Sequence, residues 1–149
     1  MGNYLNIGND GFAMMCNDIY VDKTELIAFI NSTLDTPQKL TCVSRPRRFG
    51  KSFAVKMLGA YYDKKCDSRA LFEGLDISLD SSFEKHLNKY DVISIDMTYM
   101  IYDAREQKNV IKNLENKVIQ EVRMAYPEVT KSEGLIGTLS SIAETTGNV

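Results

Sequence analysis

The residues best suited to chemistry stand at positions 45 to 52, where the chain reads Arg45-Pro46-Arg47-Arg48-Phe49-Gly50-Lys51-Ser52. The last three match the end of the P-loop pattern G-x-x-x-x-G-K-[ST]. In that pattern backbone N–H groups surround phosphates, the lysine neutralises them and the hydroxyl binds Mg²⁺. The first glycine of the pattern, which would adopt a positive φ without strain, is replaced by Arg45. The spacing therefore predicts a nucleotide-phosphate site that departs from the pattern at one position.

The positive charge of this stretch also allows a second interpretation. Four cations fall within seven residues: Arg45, Arg47, Arg48 and Lys51. Such a cluster of positive charge could bind the phosphate backbone of a nucleic acid, or a partner protein. The net charge of the 149-residue chain is −2, which gives no general attraction to a polyanion. A polymer would need further phosphate contacts along the surface. A mononucleotide is favoured, and the nucleic-acid or partner-binding module stays as the alternative.

The elements expected to position the loop flank it directly. Leu40–Ser44 has the composition of a short buried strand, and the residues after Lys51 follow a helical apolar pattern to about Asp63. Asp91–Met97 predicts a second strand, β-branched and nearly continuous in apolar character. The order strand, loop, helix indicates an α/β fold with a parallel sheet.

Three further helices are expected around this centre. Asp22 would cap a helix of about a dozen residues, Ala104–Ala125 shows a long amphipathic pattern, and Leu135–Glu144 shows a shorter one. Residues 1–11 are polar and are expected to be flexible. The length favours one domain over residues 1–149.

Three stretches carry a family resemblance, and they come in the family's order: Tyr20-Val21-Asp22-Lys23-Thr24, the loop at 45–52, and Leu71-Phe72-Glu73-Gly74-Leu75. Together they resemble the AAA-ATPase-like proteins that are often fused to a PD-(D/E)XK-type nuclease, over residues from about Ile7 to the end. The resemblance implies a P-loop three-layer sandwich, with ATP and Mg²⁺ as cofactors. It also makes Arg45 a family trait, because the loop of that family commonly begins Arg-Pro-Arg-Arg. By the same resemblance the Tyr20–Val21 region is a candidate for contact with the adenine, and the favoured alternative is an ordinary packing helix and its lead-in.

The metal ligands are less clear than the phosphate site. Ser52 is the expected hydroxyl ligand, and Asp96 ends an apolar stretch as the aspartate of a Walker B strand would. Met97, however, stands where such ATPases place the glutamate that activates water, so the favoured interpretation of Asp96 is a strand-end aspartate that caps the next turn. In the resembling family the stretch like this one precedes the Walker B strand. Asp96 therefore stays an alternative metal residue, and no catalytic residue is assigned.

The C-terminal residues resemble a part of the family that precedes a strand needed for ATP hydrolysis. A Thr-Gly step like Thr146-Gly147 leads into the Walker B strand of the resembling family, and the sequence stops at Val149. The expectation is a domain incomplete at its C-terminus, without that strand or a nuclease, which binds nucleotide weakly and hydrolyses little. Self-association, or docking to a missing C-terminal part, is expected. Contact with nucleic acid would come only through the full-length family architecture.

The composition of the chain also bears on membrane contact, location and the state of the cysteines and the histidine. No apolar run approaches the ~20 residues of a membrane span and no signal sequence is visible, so no membrane contact and a cytoplasmic location are expected. Cys16, Cys42 and Cys66 are widely spaced and are expected to be free thiols. His86, the single histidine, is expected on the surface of a helix.

Overall fold

The structure is a computed structural model that describes residues 3–97, 109–129 and 134–146. It divides into two compact units. The first unit is Gly8–Tyr90, and the second unit consists of the described residues on either side of it. Among the described helices, none combines the length and apolar character that a bilayer span requires.

The first unit is built from helices joined by short turns. Its elements, in chain order, are α1 Asp10–Cys16, α2 Glu25–Thr33, α3 Lys51–Tyr62, α4 Arg69–Phe72, a 3₁₀ turn Asp76–Leu79, and α5 Phe83–His86. The prediction of a helix from Lys51 to about Asp63 is confirmed. The helix after Asp22 begins at Glu25 with Thr24 at its N-cap position, so Asp22 is not its cap.

Aromatic rings fill the core of the first unit. Phe12 stacks on Phe72 with ring centroids 4.9 Å apart, and Tyr61 meets Phe72 edge-on at 5.5 Å. All three side chains are fully buried, together with Ile27 and Met57. Burying rings and branched side chains of this size contributes about 1.5–3 kcal/mol each. Residues of α1, α2, α3 and α4 thus share one core.

The predicted three-layer sandwich with a parallel sheet is wrong. Within the three described ranges there is no strand and no sheet, but two isolated bridges, Leu5 with Ile93 and Asp63 with Tyr90. Leu40–Ser44 is exposed along its length, and the side chain of Leu40 is 91% exposed. The apolar and β-branched composition of that run favours extended backbone, but a strand also needs a neighbour to receive its hydrogen bonds.

The second unit packs two helices on an extended N-terminal stretch. These are α6 Val110–Ala125 and α7 Gly134–Thr146, with a 3₁₀ turn Pro127–Val129 between them. Leu5 packs with Val118, Val122 and Ile142 in its core. The helix predicted over Leu135–Glu144 is confirmed, and residues 104–108 of the helix predicted over Ala104–Ala125 lie outside the described residues.

Hydrogen bonds hold the N-terminal residues of this unit in place. The carboxylate of Glu121 accepts from the backbone N–H of Leu5 at 2.8 Å and from that of Tyr4 at 3.1 Å. The predicted strand at Asp91–Met97 is wrong: this stretch forms one antiparallel bridge, where Ile93 lies opposite Leu5. One bridge of this kind holds two segments of the chain side by side but does not make a sheet.

Candidate functional site

The loop at 45–52 leads from exposed, extended chain into the start of α3. Gly50 is the N-cap residue with φ +79°, and Arg48 has φ +68°. The φ of Arg45 is not positive. The left-handed conformations of this loop therefore fall on Gly50 and Arg48, and the backbone does not require glycine at position 45.

The Lys51 side chain folds back across the loop. Its Nζ donates to the carbonyl oxygen of Arg45 at 2.6 Å and to that of Pro46 at 2.9 Å. Because Gly50 has no side chain, the first N–H groups of α3 receive no side-chain cap. Uncapped N–H groups and the positive end of the helix dipole attract anions. An ammonium and a helix start thus lie together at this loop.

A second lysine reaches the same loop from a distant part of the sequence. Lys23 Nζ lies 3.4 Å from the carbonyl oxygen of Phe49. A Cβ atom built on Gly50 would lie 3.2 Å from that Nζ, so the lysine occupies the space beside the glycine. The sequence did not predict this contact, because it depends on how residues 22–24 pack against the rest of the unit.

Asp22 fixes the backbone around Lys23. One of its carboxylate oxygens accepts from Thr24 N–H and from Thr24 Oγ1, each at 2.8 Å, and the other accepts from Asp76 N–H at 2.8 Å. Burial acts to raise the pKa of the Asp22 carboxyl, but these hydrogen bonds together outweigh it and hold the pKa below its usual value. The anionic carboxylate thus ties the start of α2 to the turn at Asp76.

A cavity of about 430 Å³ adjoins the loop. Arg48 and Gly50 of the loop contribute to its wall, as does Lys23. Most of the remaining wall is apolar and comes from α1, the segment after it and the first turns of α3: Met14, Met15, Ile19, Tyr20, Val21, Phe53, Ala54 and Met57. Its volume is within the roughly 300–1,000 Å³ of small-molecule sites. A mostly apolar wall with few polar groups is also typical of such sites.

The structure brings some of the predicted residues together. Tyr20 and Val21, expected near an adenine, line the cavity with Gly50, and the Tyr20 hydroxyl lies 3.3 Å from Met57 Sδ. Burial raises the pKa of the Tyr20 phenol above its ordinary value. Ser52 is exposed on the first turn of α3, as a ligand to a nucleotide-bound ion would have to be.

The predicted metal residue Asp96 lies elsewhere in the chain. It belongs to the second unit, it is exposed, and the stretch before it is not a strand. Its part in a metal site stays a prediction. In the described ranges, no group of three or more histidine, cysteine, aspartate or glutamate side chains is arranged to hold a metal ion. The three cysteines carry no disulfide, as expected.

Comparison with known proteins identifies the family. A family model described as AAA-ATPase_like, "Predicted AAA-ATPase", matches residues 6–149, and the chain therefore belongs to that family. No curated protein and no solved structure gave a significant match.

Proposed function

We propose that this member of the predicted AAA-ATPase family binds ATP with Mg²⁺, with the adenine in the cavity and the phosphates at residues 45–52. One observation carries the proposal: the cavity and the loop share Arg48 and Gly50, so that an apolar pocket and a cationic loop are continuous. A nucleotide has the same two-part character, a flat base joined to an anionic chain. The family membership supports this ligand class over other anions.

The cavity suits the base because its wall is apolar and partly aromatic. Phe53 stands on the first turn of α3, and Tyr20 lies on the segment that follows α1. Aromatic rings and the thioether of Met57 make favourable contacts with a flat π system. The base would be bound mainly by removal of apolar surface from water, with its orientation set by few polar groups.

The loop suits the phosphates because Lys51 is already positioned beside it. An ammonium has three donors, and the bonds to Arg45 and Pro46 leave one for a phosphate oxygen. Lys51 would neutralise the β and γ charge, and the N–H groups at the start of α3 would donate to the same oxygens. Arg47 and Arg48 add exposed positive charge in the same loop.

Magnesium would enter with the nucleotide. Mg²⁺ in phosphate sites is held by one or two protein oxygens together with phosphate oxygens and water, so a dedicated protein cage is not needed. The Ser52 hydroxyl would supply the protein oxygen, and the ion would neutralise phosphate charge. The proposal covers binding, and it assigns no residue to hydrolysis.

Calorimetric titration with Mg-ATP tests the proposal on three chains: wild type, Lys51→Ala and Lys65→Ala. Lys65 is an exposed lysine beyond the C-terminal end of α3, so its replacement controls for loss of a positive charge. A charge-assisted hydrogen bond contributes ~1.5–3 kcal/mol, so Lys51→Ala should weaken binding about tenfold or more. Lys65→Ala should bind as wild type does.

Two results would overturn the proposal. Equal Mg-ATP affinity of wild type and Lys51→Ala, with circular dichroism showing both folded, would remove the loop from the site. Displacement of ATP by a DNA oligonucleotide that binds more tightly would favour the nucleic-acid alternative.

A further inference from the structure

Lys23 occupies a distinct place in the first unit, between the cavity and the loop. It lines the cavity, and its Nζ lies 3.4 Å from the carbonyl oxygen of Phe49. Lys51 binds the loop at another point, the carbonyl groups of Arg45 and Pro46. The two ammonium groups therefore contact opposite ends of the loop sequence.

Residues on both sides of Lys23 are fixed. Asp22 accepts from Asp76 N–H, and the buried Thr24 accepts through Oγ1 from Ile77 N–H at 3.1 Å. Lys23 itself is exposed. Its backbone is thus tied to the 3₁₀ turn Asp76–Leu79 at two points, while its long side chain extends to the loop. Because the residues on both sides of Lys23 are already fixed, a ligand bound by its ammonium has only the side-chain entropy of the lysine to offset.

We propose that Lys23 binds the phosphate nearest the sugar, the α-phosphate, and so makes the site selective for nucleotides over nucleosides. The inference rests on the proposed function. With the base in the cavity, the first phosphate would pass Gly50, where Lys23 Nζ lies. The 3.4 Å contact to Phe49 is long for an ammonium hydrogen bond, and a phosphate oxygen would be approached at about 2.7–2.9 Å. Lys51 would serve the outer phosphates.

The affinities for adenosine, AMP and ATP, which differ in the number of phosphates, show which phosphate each of the two lysines binds. Titrations followed by amide NMR, up to millimolar ligand, would compare wild type with Lys23→Gln, Lys51→Ala and Lys65→Gln. Glutamine at position 23 keeps a donor for the Phe49 carbonyl but removes the charge. Lys65 is the control, because it is an exposed lysine beyond the C-terminal end of α3 and does not line the cavity.

The expected result is a pattern across ligands. Lys23→Gln should weaken AMP and ATP about tenfold and leave adenosine within about twofold, since one charge-assisted contact is lost. Lys51→Ala should weaken ATP by at least that factor but change AMP little. Lys65→Gln should leave all three affinities unchanged.

Three outcomes would overturn the inference, and they are distinguishable. Wild-type AMP affinity in Lys23→Gln, beside lost ATP affinity in Lys51→Ala, would contradict the role of Lys23 and leave the proposed function standing. Equal losses for adenosine and AMP in Lys23→Gln would show that Lys23 merely shapes the cavity. No binding of ATP by wild type, or equal ATP affinity in Lys51→Ala, would remove the proposed function and this inference with it.

Discussion

Arg45 illustrates how one residue can depart from a motif without straining the backbone. The general pattern places glycine at its position, yet the φ of Arg45 is not positive, and its carbonyl accepts from Lys51 Nζ at 2.6 Å. The positive φ angles fall instead on Arg48 and Gly50. The backbone at position 45 thus does not require glycine, and the exposed guanidinium of Arg45 is free to reach a phosphate.

Replacing Arg45 by glycine tests whether the arginine takes part in binding. Glycine keeps the carbonyl that holds Lys51 but removes the guanidinium and loosens the loop. We expect the Mg-ATP affinity of Arg45→Gly to fall about three- to tenfold in the calorimetric titration. Lys39→Gly, at another exposed position upstream of the loop, is the control. Tighter binding by Arg45→Gly would show that the arginine is a defect in the motif.

At the scale of elements, α3 joins the site to the core. Its first turn carries Lys51, Ser52 and Phe53 at the loop and cavity, and its later turns bury Met57 and Tyr61. The Tyr61 hydroxyl donates to the Phe83 carbonyl oxygen at 2.8 Å, and burial raises the pKa of this phenol to about 12. A firmly packed C-terminal half thus holds the N-terminal end of α3 in place.

The glycine at the N-cap of α3 and the glycine within the helix should respond to alanine in opposite ways. Gly50 has φ +79°, so alanine there should lower the free energy of unfolding by about 1 kcal/mol. Gly59 lies within the helix, and a Cβ there would meet nothing within 4 Å, so alanine should raise it by about 0.5–1 kcal/mol. Urea unfolding of both variants measures the two changes. A stabilising Gly50→Ala would contradict the left-handed conformation at the loop.

Whether an element could be predicted from the sequence depends on where its backbone hydrogen bonds are formed. A helix forms its hydrogen bonds within one segment, so the apolar periodicity after Lys51 was enough to predict α3. A strand forms them with another segment, and nothing within Leu40–Ser44 or Asp91–Met97 specifies a partner. The contact of Lys23 with the loop has the same origin, because it depends on Asp22 reaching Asp76, far along the chain.

At the scale of the whole molecule, each unit has its own core, and the proposed site lies within the first one. Tyr20, Gly50, Lys51 and the cavity all belong to Gly8–Tyr90, whereas Asp96 belongs to the second unit. The stability of the first unit therefore bears directly on binding. The sequence could single out the loop residues and the Tyr20–Val21 region, but not the cavity, which residues from the two separated segments 11–23 and 48–57 line.

His86 makes this stability depend on pH. The expectation of a surface histidine is wrong: His86 is 2% exposed, and its Nδ1 lies within hydrogen-bonding distance of the Tyr90 hydroxyl. Burial lowers the pKa of His86, the charge of Lys85 lowers it further, and Asp35 acts in the opposite direction. Near and below the ordinary value of about 6.5, the unfolded chain thus binds more protons than the folded one.

The free energy of unfolding should accordingly fall as the pH is lowered from 7.5 through about 6.5 to 5.5. Urea unfolding at a series of pH values measures this fall in wild type and in His86→Gln, which cannot gain a proton. The variant should show a shallower slope over the same range. An unchanged slope would mean that His86 takes up its proton equally well in the folded chain.

Photolabelling with 8-azido-ATP tests the central claim most directly, because the reactive group sits on the adenine and reports where the base lies. After irradiation and proteolysis, mass spectrometry should find the label on peptides that line the cavity, within residues 11–23 or 53–57. Excess unmodified ATP should suppress that labelling, and Lys51→Ala should reduce it. Labelling confined to other residues, or equal labelling in the presence of excess ATP, would contradict the proposed site.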